Sequence, residues 1–347
     1  MCCCKKLISV IIPIYNTDNR MIQRCVNGIM YQKFQDVEII IIDDGSDEEC
    51  ALFLDLIAEN ETGIRVFHTS NNGVSSARNY GVKKSLGEYI IFVDGDDVVD
   101  NNFIKIARDN IKKYSDVKIF YYYMCQQKNG VINNFSIDLD VHMLSNEERL
   151  LLMKRMVLST NDTFVMKNGG YIGRGCYARV IAKDVLKDIR FSESLSLGED
   201  AIWNLEILMK ERISMVVEYV AYYYVRNENS ATCRYRSDIY NEEKKLLDKY
   251  YELVGDNKAF DVNMFNRTIE CLREMLRLYY AHENYPRNLS CANREYKNIL
   301  KNDQTFKRYF KVYKNIGVIS KIKYYIFVRN PLPVFTYKCL RKIKKNL

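Results

Sequence analysis

The feature that most constrains this chain is a strand–helix alternation across its first hundred residues. Residues 7–14 (LISVIIPI) are β-branched and continuously apolar, as strands covered on both faces are. Residues 18–31 place Met21, Ile22, Cys25 and Ile29 at helical spacing. A second buried strand over 37–42 ends at Asp43-Asp44-Gly45-Ser46, where Ser46 and Glu49 predict a capping box opening a helix over 47–59. A third strand (64–68), a helix over 75–86 stopped by Gly87, and a fourth strand (88–93) follow, the last ending at Asp94-Gly95-Asp96-Asp97. This order predicts an α/β fold with a doubly wound, mostly parallel central sheet. Sheets of this kind bind ligands at the carboxyl ends of their strands, and here those ends carry Tyr15-Asn16, Asp43-Asp44 and Asp94-Gly95-Asp96.

Beyond residue 100 the pattern predicts helices over 103–114 and 147–158, a strand over 117–124, a Gly-rich loop over 169–177 and a short helix over 180–186. A helix over 199–210 opens on Gly198-Glu199-Asp200, and a Tyr-rich strand spans 215–225. From about 241 the chain reads as charged helix. With 347 residues, two domains are expected: a catalytic unit over 1–235 and a helical region over 236–347.

Charge divides the chain more sharply than the net +8 suggests. Residues 304–347 hold twelve of the 52 Lys and Arg and none of the 44 Asp and Glu, so the rest is mildly acidic. A one-sided basic tail predicts an anionic partner. Pro331 and Pro333 divide it, so two short amphipathic pieces lying in an anionic membrane surface are expected, and no nucleic acid, whose phosphates the acidic body would repel. No run reaches the roughly 18 apolar residues of a span, and the run after Lys5-Lys6 lacks a cleavage site. The eleven cysteines, three of them at Cys2, Cys3 and Cys4, form no C-x-x-C pair and suggest reduced thiols. These features predict a cytoplasmic protein, peripheral on the inner face of the cell membrane.

Three carboxylates within Asp94-Gly95-Asp96-Asp97 repel one another, and a hard divalent cation relieves that best; an acidic loop capping the next helix is the plainer alternative. Asp44 could accept from a base N–H and Tyr15 could stack on a base, although Asp43 to Ser46 also read as a helix start. Glu199-Asp200 suits a helix N-terminus, yet the sole tryptophan, Trp203, lies one turn on, and a carboxylate beside an apolar wall makes a usable general base. His68, His142 and His282 show no ligand spacing, and no motif suggests a covalent nucleophile.

In order and spacing, five segments resemble the family 2 glycosyltransferases, inverting enzymes of the GT-A fold. They are residues 8–16 (ISVIIPIYN), 43–47 (DDGSD), 72–79 (NGVSSARN), 94–97 (DGDD) and 198–200 (GED), and the likeness covers about residues 6–232. The resemblance implies that Tyr15 stacks on uracil, with Pro13 in the same nucleotide-binding set, and that Asp44 reads the base edge. It implies Asp94 at the ribose, Asp96 holding Mn²⁺ or Mg²⁺ at the diphosphate, and Asp200 as general base. Arg78 and Arg226 fall where relatives set groups near the diphosphate or donor sugar. Arg174-Gly175-Cys176-Tyr177 departs from the tryptophan-containing acceptor loop of many relatives. The expected function is metal-dependent transfer from a nucleotide-sugar to a glycan or lipid-linked acceptor in bacterial surface-polysaccharide assembly, with a homodimer left open. The competing readings are a nucleotidyltransferase and a non-catalytic protein binding anionic surfaces.

Overall fold

The computed structural model describes residues 5–31, 34–127, 139–158, 164–165, 170–225 and 234–346. The chain divides into two compact units, the first of residues 1–156, 160–194 and 199–226, the second of 157–159, 195–198 and 227–347.

The first unit is built on one nine-stranded sheet. Strands β1 (Ile8–Ile14), β2 (Val37–Asp43), β3 (Ile64–His68) and β4 (Tyr89–Phe92) alternate with helices α1 (Asn19–Met30), α2 (Glu48–Asn60) and α3 (Val74–Lys84). Their order in the sheet is β3-β2-β1-β4, all parallel. Isoleucines of β1 and β2 are buried on both faces, which is why these strands read as unbroken apolar runs. Pro13 sits opposite Ile42 and beyond the β1–β4 pairing, which ends at Ile11, so its missing N–H interrupts no ladder on that side.

The rest of the sheet is mixed. It comprises β5 (Val98–Val99), β6 (Ile119–Gln127), β7 (Val141–Met143), β8 (Arg179–Ala182) and β9 (Ser214–Val225), with α4 (Phe103–Lys113), α5 (Asn146–Val157) and α6 (Glu199–Lys210). The short helix expected over 180–186 is instead strand β8 followed by one 3₁₀ turn. β8 lies antiparallel between β4 and β6, where Val180 and Ile181 fill a fully buried slot that local propensity could not foresee. β6 and β9 pair in parallel, and β5 and β7 add antiparallel to β9.

The second unit is helical: α7 (Ile239–Val254), α8 (Asp261–Met275), α9 (Leu289–Asn302), α10 (Gln304–Lys307), α11 (Val318–Tyr324) and α12 (Pro333–Asn346), with π-helical turns after α8 and α11. Its interior holds Leu246, Tyr250, Phe265, Leu272, Met275, Tyr296 and Phe306. The basic tail forms two helical pieces, α11 with its π-helical turn and α12, divided at Pro331, and both pack on that interior. Tyr324 packs its ring 5.7 Å from Phe265 and 5.0 Å from Phe310. Tyr296 donates to the Phe327 carbonyl at 3.1 Å, and the Val334 N–H donates to Asn293 at 3.1 Å. Packing these rings against the helical unit takes them out of water and anchors the inner face of the tail. Among the described residues, no helix is long and apolar enough to cross a membrane, and seven cysteines are free thiols.

Candidate active site

Parallel pairing brings the ends of β1, β2 and β4 to one edge of the sheet, and that edge gathers the sequence-predicted residues. Tyr15 follows β1 with its ring 53% exposed, free to stack. Asn16 turns the chain at φ +46, donates from its N–H to the Ser46 hydroxyl at 3.0 Å, and accepts from the Asp47 N–H at 2.8 Å. Ser46 is therefore not the cap of α2. Asp47 is, accepting from the Cys50 N–H at 2.9 Å, because the Ser46 hydroxyl is spent tying one strand end to the next.

Asp44 is buried, and its two oxygens accept from the Asn72 and Gly73 N–H groups, at 2.9 and 2.8 Å, where α3 begins. Those donors fix the carboxylate while leaving each oxygen a further lone pair. Burial works against charge on the adjacent Asp43, but hydrogen bonds from Ser46 and His68 outweigh it and hold that carboxyl below its usual range. His68, in turn, is raised chiefly by its bond to Asp43, a structural role.

The acidic turn after β4 presses against β1: a Cβ on Gly95 would lie 2.1 Å from the Ile14 Cδ1, so a larger residue there requires that side chain to shift. Its carboxylates divide by role. Asp97 is buried, accepts from the Tyr222 hydroxyl at 2.5 Å and the Val225 N–H at 2.7 Å, and is pushed up to about 8 by burial and by Asp94. It ties the turn to β9, so part of the repulsion that suggested a cation is relieved by protein donors. The Asp96 carboxyl has no side-chain partner among the described residues; Arg24 donates only to its backbone carbonyl, at 3.0 Å. Burial and then Asp94 raise Asp96, a penalty that a nearby cation would remove.

Arg78, on α3, is the centre of the site. It is 3% exposed, donates to Asp94 at 2.8 Å and to Asp200 at 2.7 Å, and stands 3.5 Å from Glu199. Burial opposes its charge, but the carboxylates around it hold it firmly protonated. Its guanidinium lies 5.3 Å from the Phe191 ring, which stacks on Trp203 at 4.4 Å. The apolar wall expected at Trp203 thus supports Arg78. Burial raises Asp200 against the pull of Arg78, and burial together with Asp200 pushes Glu199 to about 7. A carboxylate shifted toward neutrality and held by one fixed guanidinium can accept a proton from a hydroxyl.

Two residues escaped the sequence reading. Arg179, fully buried in β8, donates to the carbonyls of Gly173 and Tyr177, both at 2.7 Å, and to that of Gly175. Asn204, on α6, donates to the carbonyls of Arg174, Gly175 and Asp200 at 2.9, 3.0 and 2.8 Å. Together they clamp the Arg174–Tyr177 loop beside the start of α6 and put the buried Cys176 next to Asp200 and Arg78. The only signal was an arginine directly following a glycine-rich loop. Arg226 lies outside the described residues.

Among the described residues no group of three or more His, Cys, Asp or Glu could hold a metal ion on its own. The oxygen donors of Asp96 and Asp94 fit a hard divalent cation whose remaining positions are filled by phosphate oxygens and water.

A half-parallel sheet on which one guanidinium joins Asp94, at the end of β4, to Glu199 and Asp200, at the start of α6, carries this site, and the fold is that of a GT-A-type glycosyltransferase. Residues 9–177 match the model described as glycosyl transferase family 2, so the chain contains a domain of that family. It is 29% identical to the Bacillus subtilis glycosyltransferase EpsJ over 82% of this chain and 78% of EpsJ. It is 31% identical to the B. subtilis minor teichoic acid biosynthesis protein GgaB over 64% of this chain, which corresponds to 23% of that longer protein. A crystal structure of S. aureus TarS (residues 1–349) with UDP-GlcNAc shares the fold at a TM-score of 0.62 and 19% identity, covering 98% of this chain and 92% of that one.

Proposed function

We propose that the enzyme transfers a sugar, with inversion, from a UDP-sugar to a hydroxyl of a glycan or lipid-linked acceptor in surface-polysaccharide assembly. The observation that carries this reading is the double salt bridge of Arg78. One guanidinium joins Asp94, on the donor side, to Asp200, on the acceptor side. The complex of TarS with UDP-GlcNAc and the teichoic acid role in the name of GgaB favour the donor and the pathway class.

Tyr15 stacks on the base and Asp44, held by the start of α3, accepts from its edge, while Asp94 binds the ribose. Asp96 would hold Mn²⁺ or Mg²⁺, which when bound would neutralise charge on the departing diphosphate. Asp200 accepts the acceptor hydroxyl's proton at its carboxylate as that oxygen attacks the anomeric carbon from the opposite face. General-base help of this kind is worth ~10²–10⁴-fold. Arg78 keeps the Asp200 carboxylate oriented. A nucleotidyltransferase leaves the Arg78–Asp200 pair without a task, which disfavours it. The basic tail suits an acceptor carried at an anionic membrane surface.

Release of UDP from a panel of UDP-sugars, with and without Mn²⁺, tests the reading. Metal-dependent release with one preferred sugar supports it, and no release with any UDP-sugar in the presence of an acceptor overturns it.

A further inference from the structure

The tail carries an outward face that its inward packing does not use. In α11 and the turn that continues it, Tyr324 and Phe327 point into the helical unit, while Val318, Ile319, Ile322 and Tyr325 are exposed, Ile319 at 73%. Positions 318, 322 and 325 follow helical spacing, so these side chains form one ridge on a helix whose other face is anchored. Leu332 and Phe335, next in the chain, are exposed as well. In the chain Lys311 and Lys314 precede them and Lys338, Arg341 and Lys342 follow, and no ion pair joins any of these to an acid among the described residues, whereas Lys323 is occupied by Glu270 at 3.1 Å.

Exposed isoleucines are costly in water, and several together on one helical ridge indicate a partner that takes them up. Unpaired cations flanking such a ridge, with no acid in residues 304–347, specify an anionic partner. We propose that this ridge inserts into an anionic lipid bilayer as a rigid part of the folded helical unit, Val318, Ile319, Ile322 and Tyr325 entering the acyl boundary and the free lysines and arginines meeting the headgroups. The proposal rests on the membrane-acceptor reading and sharpens it. Attachment needs no release of the tail, because Tyr324, Phe327 and Val334 stay buried in the unit.

Deleting the tail would strip those buried groups and unfold the unit, so the test uses point variants of the full chain. Ile319→Asp with Ile322→Asp removes apolar character at exposed positions and leaves the anchor intact. Wild-type protein is expected to float with phosphatidylglycerol vesicles at low salt, to be released several-fold at high salt, and not to float with phosphatidylcholine alone. The double variant is expected to lose at least tenfold in vesicle partition with its melting temperature and UDP affinity unchanged. Flotation of the double variant equal to wild type overturns the ridge. Wild type that never floats but falls from dimer to monomer on substitution overturns the lipid partner, the ridge then being a contact between copies. UDP-sugar turnover on a soluble acceptor, measured on the same samples, reports the transfer reading separately, since neither isoleucine touches that site.

Discussion

The acidic edge of the sheet and the basic tail of the helical unit treat charge in opposite ways. At the sheet edge the charged groups are inside: Arg78 is buried among Asp94, Glu199 and Asp200, and Asp97 is buried on Tyr222 and the Val225 N–H. In the tail Tyr309, Tyr324 and Phe327 are inside, while Tyr325, Phe335 and the cations Lys311, Lys314, Arg341 and Lys342 stand outside, those four cations in no ion pair among the described residues. Buried charge is tolerated only when neighbours satisfy it, which fixes geometry and shifts proton affinity, as reaction chemistry requires. Exposed charge is screened and cheap, which suits reversible attraction to a surface. The same electrostatic rule thus suits the first region to chemistry and the second to the docking proposed for it.

Breaking the buried side of that contrast has the largest expected effect. Asp200→Asn keeps the shape and removes the basicity, so transfer should slow by ~10²-fold or more while donor affinity stays within a few-fold. Single-turnover kinetics with a competent acceptor measure it, and a near wild-type rate would leave Asp200 as a helix-start residue. Next, Asp96→Ala removes the one carboxylate of its turn without a side-chain partner among the described residues. Calorimetry with UDP should show the Mn²⁺-dependent gain in affinity vanish, with the metal-free affinity retained; an undiminished gain rejects the assignment.

Arg179→Met sharpens the comparison by removing a buried charge that only positions. The carbonyls of Gly173 and Tyr177 lose their donor, while that of Gly175 keeps Asn204, and stability should fall by about 3 kcal/mol, read from urea midpoints. The smallest effect concerns pH. Asp97 and Glu199 bind protons more tightly folded, at about 8 and about 7, than unfolded carboxyls do. The folded state therefore holds more protons, and stability falls as pH rises from about 4 toward 8. Thermal melts between pH 5.5 and 8.5 should show this decline, and Asp97→Asn should flatten it; an equal slope in the variant excludes Asp97 as its source.

How much was legible follows from the range of the forces involved. The strands and helices of the first hundred residues, the acid-bearing strand ends and the amphipathic tail were written in local periodicity, because burial on one or both faces selects residue types at fixed spacing. Strand β8, by contrast, is four residues that became a strand only because β4 and β6 leave a slot between them. Ser46 could not be known to serve Asn16 and not α2, since both uses need the same hydroxyl. Likewise, the D-G-D-D run did not reveal that Asp97 belongs to the scaffold and Asp96 is free, because Tyr222 is 125 residues away. Sequence by itself determined which residue types would meet at the sheet edge and that a basic, aromatic tail would follow. Only the tertiary structure decided that Arg78, which holds Asp94, also reaches Asp200 across 122 residues, that Arg179 and Asn204 lock the adjoining loop, and which face of the tail looks outward. Those are choices between partners of equal local chemistry, and such choices are made by which surfaces the fold brings within hydrogen-bond reach.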